Sequence, residues 1–435
     1  MNLFELSLKM NGFPIKEAKT RLLEIQSISE KDYSTYIFEK RQEIFDFHLK
    51  ENPFYQDFIG AKSISSWEDI PVMQKSHLQH PLQERLSNGY KENSVYVNKT
   101  SGSSGHPFIF AKDHFCHALT WAEILDRFGW YDLDFHSSYQ ARFYGIPLDF
   151  MGYQKERLKD RLTSRYRFPI FDLSEQKMEQ FLRAFRRKKF DYINGYTSSI
   201  VLFAKFIQQK NIVLTQVCPT LKYCVVTSEM LFDSDKKLMQ DAFGVPVVNE
   251  YGASELDLIA FTNTEDEFVV NSETLFVEVL DENDRAVPNG TSGRIVITGL
   301  YNKAHPMIRY DIGDTGILSP ASTLKKPLLQ ELIGRTNDVA RLPSGKTVPG
   351  LTFYYVTKSV IEDNGNVKEF VIVQTALDHF KITYTSEREL TIAEIETMKN
   401  ALYTYLEKGL HLSFERVAVL DRSKRGKLKQ FMSDI

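Results

Sequence analysis

Lys99 to Phe110 reads KTSGSSGHPFIF, and its residue types suit the holding of a polyphosphate. Ser101, Gly102, Ser103, Ser104 and Gly105 form a small-residue loop between two strand-like runs, SVYVNKT and FIFAKD. The two glycines open backbone conformations closed to other residues, so successive N–H groups can converge on one anion. Hydroxyls of Thr100, Ser101, Ser103 and Ser104 add donors. This is not the Walker loop, which needs Gly, four residues, Gly-Lys-Ser/Thr and then a helix; here His106-Pro107 and a second strand follow. Taken alone, such a loop is more often an ordinary flexible hairpin. Motifs farther along reverse that weighting.

Those motifs are GYTSS at 195–199, TSEM at 227–230 and YGASE at 251–255, then RYDIGD at 309–314, GRTND at 334–338 and RGKLK at 425–429. Other polar clusters have plainer readings. His114, Cys116 and His117 share one helix without a further ligand at a suitable spacing, which makes them packing residues and not a metal site. The basic run Arg183 to Lys189 reads as a solvated helix end favoured by the helix dipole. The basic stretch Lys155 to Arg167 reads the same way, with the alternative that it faces a large anionic co-substrate.

The elements that must position these residues follow from size and pattern. A chain of 435 residues, 42% apolar and 13% aromatic, has material for two or three domains and a sizeable core. The net charge of -3 gives no global field for nucleic acid or an acidic membrane surface, so any basic site is local. Cys116, Cys218 and Cys224 are too few and too irregular for a disulfide framework, which suits a reducing compartment. No run approaches the roughly 20 apolar residues that cross a bilayer, and the first residues, MNLFELSLKMNGFPIKEAKT, lack a cleavage pattern. The expectation is a cytoplasmic protein with no membrane insertion and no nucleic-acid partner.

Residues 1–90 have helical spacing, with Pro53 closing one run and PVMQKSHLQ opening another helix. HFCHALTWAEILDRFGWY is an amphipathic helix. From about 139 to 260 short apolar runs alternate with helices, the pattern of a parallel sheet covered on both faces, where ligands collect at the carboxyl ends of strands. GYTSS, TSEM and YGASE stand at those ends. Residues 265–337 read as a small β-subdomain with Asn289-Gly290 as a turn, and the remainder as a compact α+β unit. The fold class is therefore α/β. A large N-terminal domain spans 1–337, helical over 1–90 with its α/β core over 91–264, and a small C-terminal domain spans 338–435.

The order KTSGSSGHP, NEYGASE, RYDIGD, IGRTND, RGKLK resembles the adenylate-forming superfamily of acyl-CoA synthetases, adenylation domains and luciferases. Within it, the short length and the GYTSSIVLFAKFI and TSEML segments resemble the phenylacetate–CoA ligase branch and its capsular-polysaccharide-biosynthesis relatives. The resemblance covers nearly the whole chain after about residue 50. It implies an AMP-binding N-terminal domain, a mobile C-terminal domain, and a reaction of ATP with a carboxylate that gives an acyl-adenylate and pyrophosphate.

By resemblance, Thr100 to Gly105 hold the β- and γ-phosphates, with His106 where many relatives have Lys. Tyr251 packs on adenine beside Gly252, Ser254 meets the α-phosphate, and Glu255 ligates Mg²⁺, a hard oxygen for a hard cation. Asp314 accepts hydrogen bonds from the ribose hydroxyls, with Asp311 as a competing carboxylate, and Arg335 reaches the nucleotide. Asn337 stands at the hinge where most relatives have Asp, and Asp338 is the alternative. Lys427 matches the catalytic lysine, with Lys424 and Lys429 as register alternatives. Phe143, Tyr144 and Tyr196 are candidates for an aromatic or apolar acid pocket. The acyl acceptor is either CoA or an amine or hydroxyl, such as that of a sugar in surface-glycan assembly. A catalytically idle nucleotide- or partner-binding relative is the reading of another class, supported by His106 and Asn337 and opposed by Glu255, Asp314, Arg335 and Lys427.

Overall fold

The computed structural model describes residues 3–99, 108–144, 160, 164–170, 173–335, 339–349, 353, 366–420 and 431–435. The chain divides into two compact units: Met1–Ile312 with Gly316–Glu331, and Gly313–Thr315 with Leu332–Ile435.

A seven-stranded sheet organises the first unit. Its strands in spatial order are Phe268–Val270, Asp257–Thr262, Val247–Ala253, Tyr223–Thr227, Tyr192–Tyr196, Gln140–Phe143 and Arg165–Phe168. Those from Val247–Ala253 to Arg165–Phe168 run parallel, and the other two are antiparallel. Alternate residues of a strand face opposite sides. Ala141, Phe143, Ile193, Cys224, Val226 and Val247 take one side, under the helices Glu175–Arg187, Thr197–Gln209 and Asp233–Phe243. The aromatic rings there interleave, Phe168 stacking on Phe185 with centroids 5.4 Å apart. Tyr192, Val225 and Val248 take the other side, against Phe128 of the helix His114–Gly129. Asp113 starts that helix by accepting the Cys116 backbone N–H at 2.8 Å, and Ala18 and Leu22 of the helix Ile15–Ser27 pack behind it. Sheet and helices form the layered α/β architecture expected.

A second sheet places Met73–Gln74, Tyr310–Leu318, Ser292–Gly299 and Leu275–Leu280 side by side, and Gly290 takes a φ of +90° at the expected turn. The PVMQKSHLQ helix is not formed. Met73 is fully buried, its backbone N–H donates to the Arg309 carbonyl at 2.9 Å, and only Lys75–Leu78 makes a single 3₁₀ turn. A tertiary strand pairing overrides local propensity there.

The strands Tyr96–Lys99 and Ile109–Lys112 pair antiparallel, with Lys99 opposite Ile109. A buried polar network backs them. Arg85 donates to the Ile109 carbonyl at 2.7 Å and the His80 carbonyl at 3.0 Å, and meets Nε2 of His305. His48 donates from Nε2 to the Asn302 carbonyl at 2.9 Å, with the Ser87 hydroxyl at its Nδ1. His117 stacks on Tyr96 with centroids 3.8 Å apart and accepts the Trp121 indole N–H at 3.2 Å.

In the second unit a four-stranded sheet runs in the order His411–Arg416, His379–Ser386, Val367–Ala376, Phe431–Ser433. Met398 and Leu402 of the helix Ile392–Tyr405 pack with Ile372, Phe380, Ile382 and Phe431 in one core. Thr391 and Glu394 form a reciprocal capping box at that helix's start. No helix among the described residues is long and apolar enough to cross a membrane.

Gly195 shows how tightly the sheet is packed, because a Cβ there would stand 2.2 Å from the Phe143 carbonyl oxygen. Gly195→Ala is expected to destabilise the protein by about 1–3 kcal/mol in urea unfolding, and a loss below about 0.5 kcal/mol contradicts the packing described. Acid sensitivity follows from the buried histidines. Burial pushes His48 down to about 4 and His117 to about 3, and holds His305 well below its ordinary value of 6.5. The folded state therefore refuses protons that the unfolded chain accepts. The stabilisation is complete above about pH 6.5 and is lost as pH falls toward 4, by about 1.4 kcal/mol per pH unit for each histidine. Unfolding free energies measured across that range should slope accordingly, with His48→Gln removing one proton from the slope; a flat profile contradicts the assignment.

Candidate functional site

The last parallel strand, Val247–Ala253, carries NEYGA into a reversal of chain direction. Its antiparallel neighbour Asp257–Thr262 pairs Ala260 with Tyr251 but Leu258 with Gly252, a slip in register that marks a bulge. A Cβ on Gly252 would lie 2.4 Å from the Asp257 carbonyl oxygen, so the close approach requires glycine. Asp257 adopts a φ of +58°, which Asp tolerates better than most residues. Its carboxylate is held by the ammonium of buried Lys112. Lys112 ends the strand Ile109–Lys112, so this ion pair ties the hairpin to the YGASE turn.

The turn presents its side chains unequally. Tyr251 and Glu255 are largely buried and Ser254 is exposed. Oε1 of Glu255 accepts the Tyr310 hydroxyl at 3.1 Å, while Oε2 has no hydrogen bond among the described residues. Four residues along the strand Tyr310–Leu318 from Tyr310 comes Asp314, also buried and of the same strand parity. Its competitor Asp311 is engaged by Arg294 at 2.7 Å, a guanidinium that also holds Asp284 at 2.5 Å.

Thr100, Ser101, Gly102, Ser103, Ser104, Gly105, His106, Asn337 and Lys427 lie outside the described residues. Arg335 ends the strand Leu329–Arg335. The Phe143 ring is fully buried, 4.8 Å from Phe168 and 5.5 Å from Phe203, because its strand parity turns it toward the helices. Tyr144 takes the opposite parity and meets Tyr196 at 4.8 Å.

Around Tyr144 the sheet carries a polar cluster that motif matching passes over. The Tyr144 hydroxyl and the Gln140 amide both donate to Oδ1 of Asn194 at 3.2 Å. The Arg142 guanidinium lies over the Tyr144 ring, 4.2 Å from its centroid. Glu250, one residue before Tyr251, has its carboxyl pushed up by burial, with the Thr227 hydroxyl and Arg142 pulling it back. The signal was in the sequence: Gln140, Arg142 and Tyr144 alternate with Ala141 and Phe143 in a strand expected to be buried on both faces.

No protein-family model matches the chain. It is 24% identical over 332 residues to protein CapK of Staphylococcus aureus, spanning 73% of this chain and 68% of that one. It is 23% identical over 261 residues to the phenylacetate-coenzyme A ligase of Pseudomonas putida, spanning 57% and 56%. In fold it is similar to 2-hydroxyisobutyryl-CoA ligase, solved in the postadenylation state in complex with R3-HIB-AMP. The TM-score is 0.68 at 18% identity, over 94% of this chain and 91% of that one. The chain is thus similar in sequence to these two relatives and shares the fold of the 2-hydroxyisobutyryl-CoA ligase.

Proposed function

We propose that this protein activates a carboxylic acid with ATP, forming an acyl-adenylate and pyrophosphate, and then transfers the acyl group to a nucleophile. The observation that carries the reading is the YGASE reversal. It carries Tyr251, Ser254 and Glu255 at the carboxyl end of a parallel sheet, where α/β proteins bind ligands, and an ion pair ties it to Lys112 of the strand Ile109–Lys112.

In the first step an oxygen of the substrate carboxylate bonds to the α-phosphorus as the bond to the pyrophosphate oxygen breaks. Both reactants are anionic, so catalysis consists of neutralising charge. Thr100 to Gly105 supply N–H and hydroxyl donors to the β- and γ-phosphates, and Ser254 supplies one to the α-phosphate. Tyr251 packs against adenine, Asp314 receives the ribose hydroxyls, and Arg335 reaches the nucleotide. Lys427 neutralises the reacting carboxylate and the α-phosphate.

Glu255 fits a metal-binding role, since one oxygen is oriented by Tyr310 and the other has no hydrogen bond among the described residues. A Mg²⁺ ion held there supplies charge neutralisation to the phosphates. In the second step a thiol, amine or hydroxyl attacks the acyl carbon and AMP leaves. The coenzyme A ligase relative supports CoA as acceptor, and likeness to capsular-polysaccharide proteins supports a sugar amine or hydroxyl. The reading places the protein in the cytoplasm and the hinge of its C-terminal domain at Asn337, with Asp338 as the alternative.

ATP–pyrophosphate exchange across a panel of carboxylic acids tests the reading. Exchange that depends on an acid, and that drops by about 10²-fold in Glu255→Gln, is the expected result. ATP binding without exchange for any acid would instead mark a catalytically idle relative. Lys427→Ala should abolish adenylate formation while sparing acyl transfer from a supplied adenylate, and equal loss of both steps would undo that residue's assignment. Release of AMP accelerated by CoA identifies the thiol as acceptor; AMP release indifferent to CoA assigns an amine or hydroxyl.

A further inference from the structure

Buried arginines of this fold are held by carboxylates or, as Arg85 is, by backbone carbonyls. Arg127 meets Glu273 at 2.6 Å, Arg294 meets Asp311 at 2.7 Å and Arg309 meets Glu278 at 3.4 Å. Parallel register aligns Gln140 with Arg165 and Arg142 with Arg167, so Arg142, Arg165 and Arg167 stand on one face of two adjacent strands. Among the described residues only Arg167 of the three forms an ion pair, with Asp160, in a two-pronged contact at 2.8 and 3.1 Å. Arg142 donates to the Gln140 side-chain oxygen at 3.3 Å and stacks on Tyr144, but its Nε is buried with no hydrogen-bond partner among the described residues. The Arg165 side chain makes no hydrogen bond or ion pair among the described residues.

Among the described residues the cationic charge is only partly offset. Burial and then the neighbouring Arg142 charge lower Arg165's affinity for its proton, while Tyr192 and Asp160 act the other way. The carboxylate whose charge acts on Arg142 is Glu250, itself half-buried and already hydrogen-bonded by Thr227. A guanidinium taken out of water without an anion is costly, and its planar fork matches a carboxylate. Position gives the cluster its meaning. Tyr144 joins Arg142 to Tyr196 and Asn194, and Glu250 directly precedes Tyr251 on the strand that enters the YGASE reversal.

We propose that Arg142 and Arg165 form an anion subsite receiving a second carboxylate on the acid substrate, so that the preferred substrate is a dicarboxylic acid. This rests on the acid-activating reading above and sharpens it. Tyr144 and Tyr196 line the approach, and Gln140 and Asn194 hold Arg142 and Tyr144 in place.

The test pairs each dicarboxylic acid with the monocarboxylic acid of equal chain length in ATP–pyrophosphate exchange on the full-length protein. The diacid should be preferred by about tenfold or more in kcat/KM. Arg142→Met and Arg165→Met should erase the preference by raising KM for the diacid, with KM for ATP unchanged, and Arg142→Lys should restore part of it; circular dichroism checks that each variant folds. Equal or better use of the monoacid overturns the proposal. So does a rise in KM for ATP in these variants, which would place the arginines against a nucleotide phosphate. Thermal-shift titration with the dicarboxylate separates this failure from that of the activity. Binding that depends on Arg142 without exchange for any acid upholds the subsite and overturns adenylate formation; the absence of such binding overturns the subsite.

Discussion

Gly252 and the Asp257 carbonyl approach so closely that no side chain fits between them, and that contact sets the geometry of everything near the site. It permits a bulge at the one place where the sheet changes from parallel to antiparallel. The bulge directs Tyr251 and Glu255 inward and leaves Ser254 facing solvent. Had the strand continued without the slip, alternation would have sent successive motif residues to opposite faces. The Lys112–Asp257 ion pair extends the constraint to the hairpin, and Tyr310 extends it to the second sheet through Glu255.

Desolvation governs the electrostatics of the first unit. Histidines buried behind the hairpin are kept neutral and used as hydrogen-bonding wedges, His48 joining Asn302 to Ser87. Other buried guanidiniums are matched by carboxylates, as Arg127 is by Asp126 and Glu273, or by backbone carbonyls, as Arg85 is. The Arg142–Arg165 face has neither in full among the described residues, and such incomplete pairing concentrates where a ligand completes the balance.

Much of this was legible in the amino-acid sequence. Alternating apolar runs and helices from 139 to 260 gave the parallel sheet because strands buried on both faces must be apolar throughout, as YCVVT is. Asn289-Gly290 gave its turn because Gly290 needs a positive φ. PVMQKSHLQ was misread because Met73 answers to a strand more than 230 residues away, a contact that local spacing cannot signal. The surroundings of Phe143 were hidden for a different reason: its strand parity was readable, but the helices that cover its face are not signalled by its neighbours in sequence. Arg165 lies in the basic stretch Lys155 to Arg167, read as a solvated helix end with a large anionic co-substrate as the alternative, and Arg142 belongs to no motif; how their charges are paired becomes visible only when neighbours are placed around them.

The central claim is that a substrate carboxylate displaces pyrophosphate from the α-phosphorus. Oxygen-18 in the carboxyl group of an accepted acid follows that bond directly, with mass spectrometry of the nucleotide and pyrophosphate released in a complete turnover. The account predicts one labelled oxygen in AMP, left there when the acyl carbon is transferred to its acceptor, and none in pyrophosphate. Label in inorganic phosphate, or AMP free of label while acyl transfer proceeds, would contradict it.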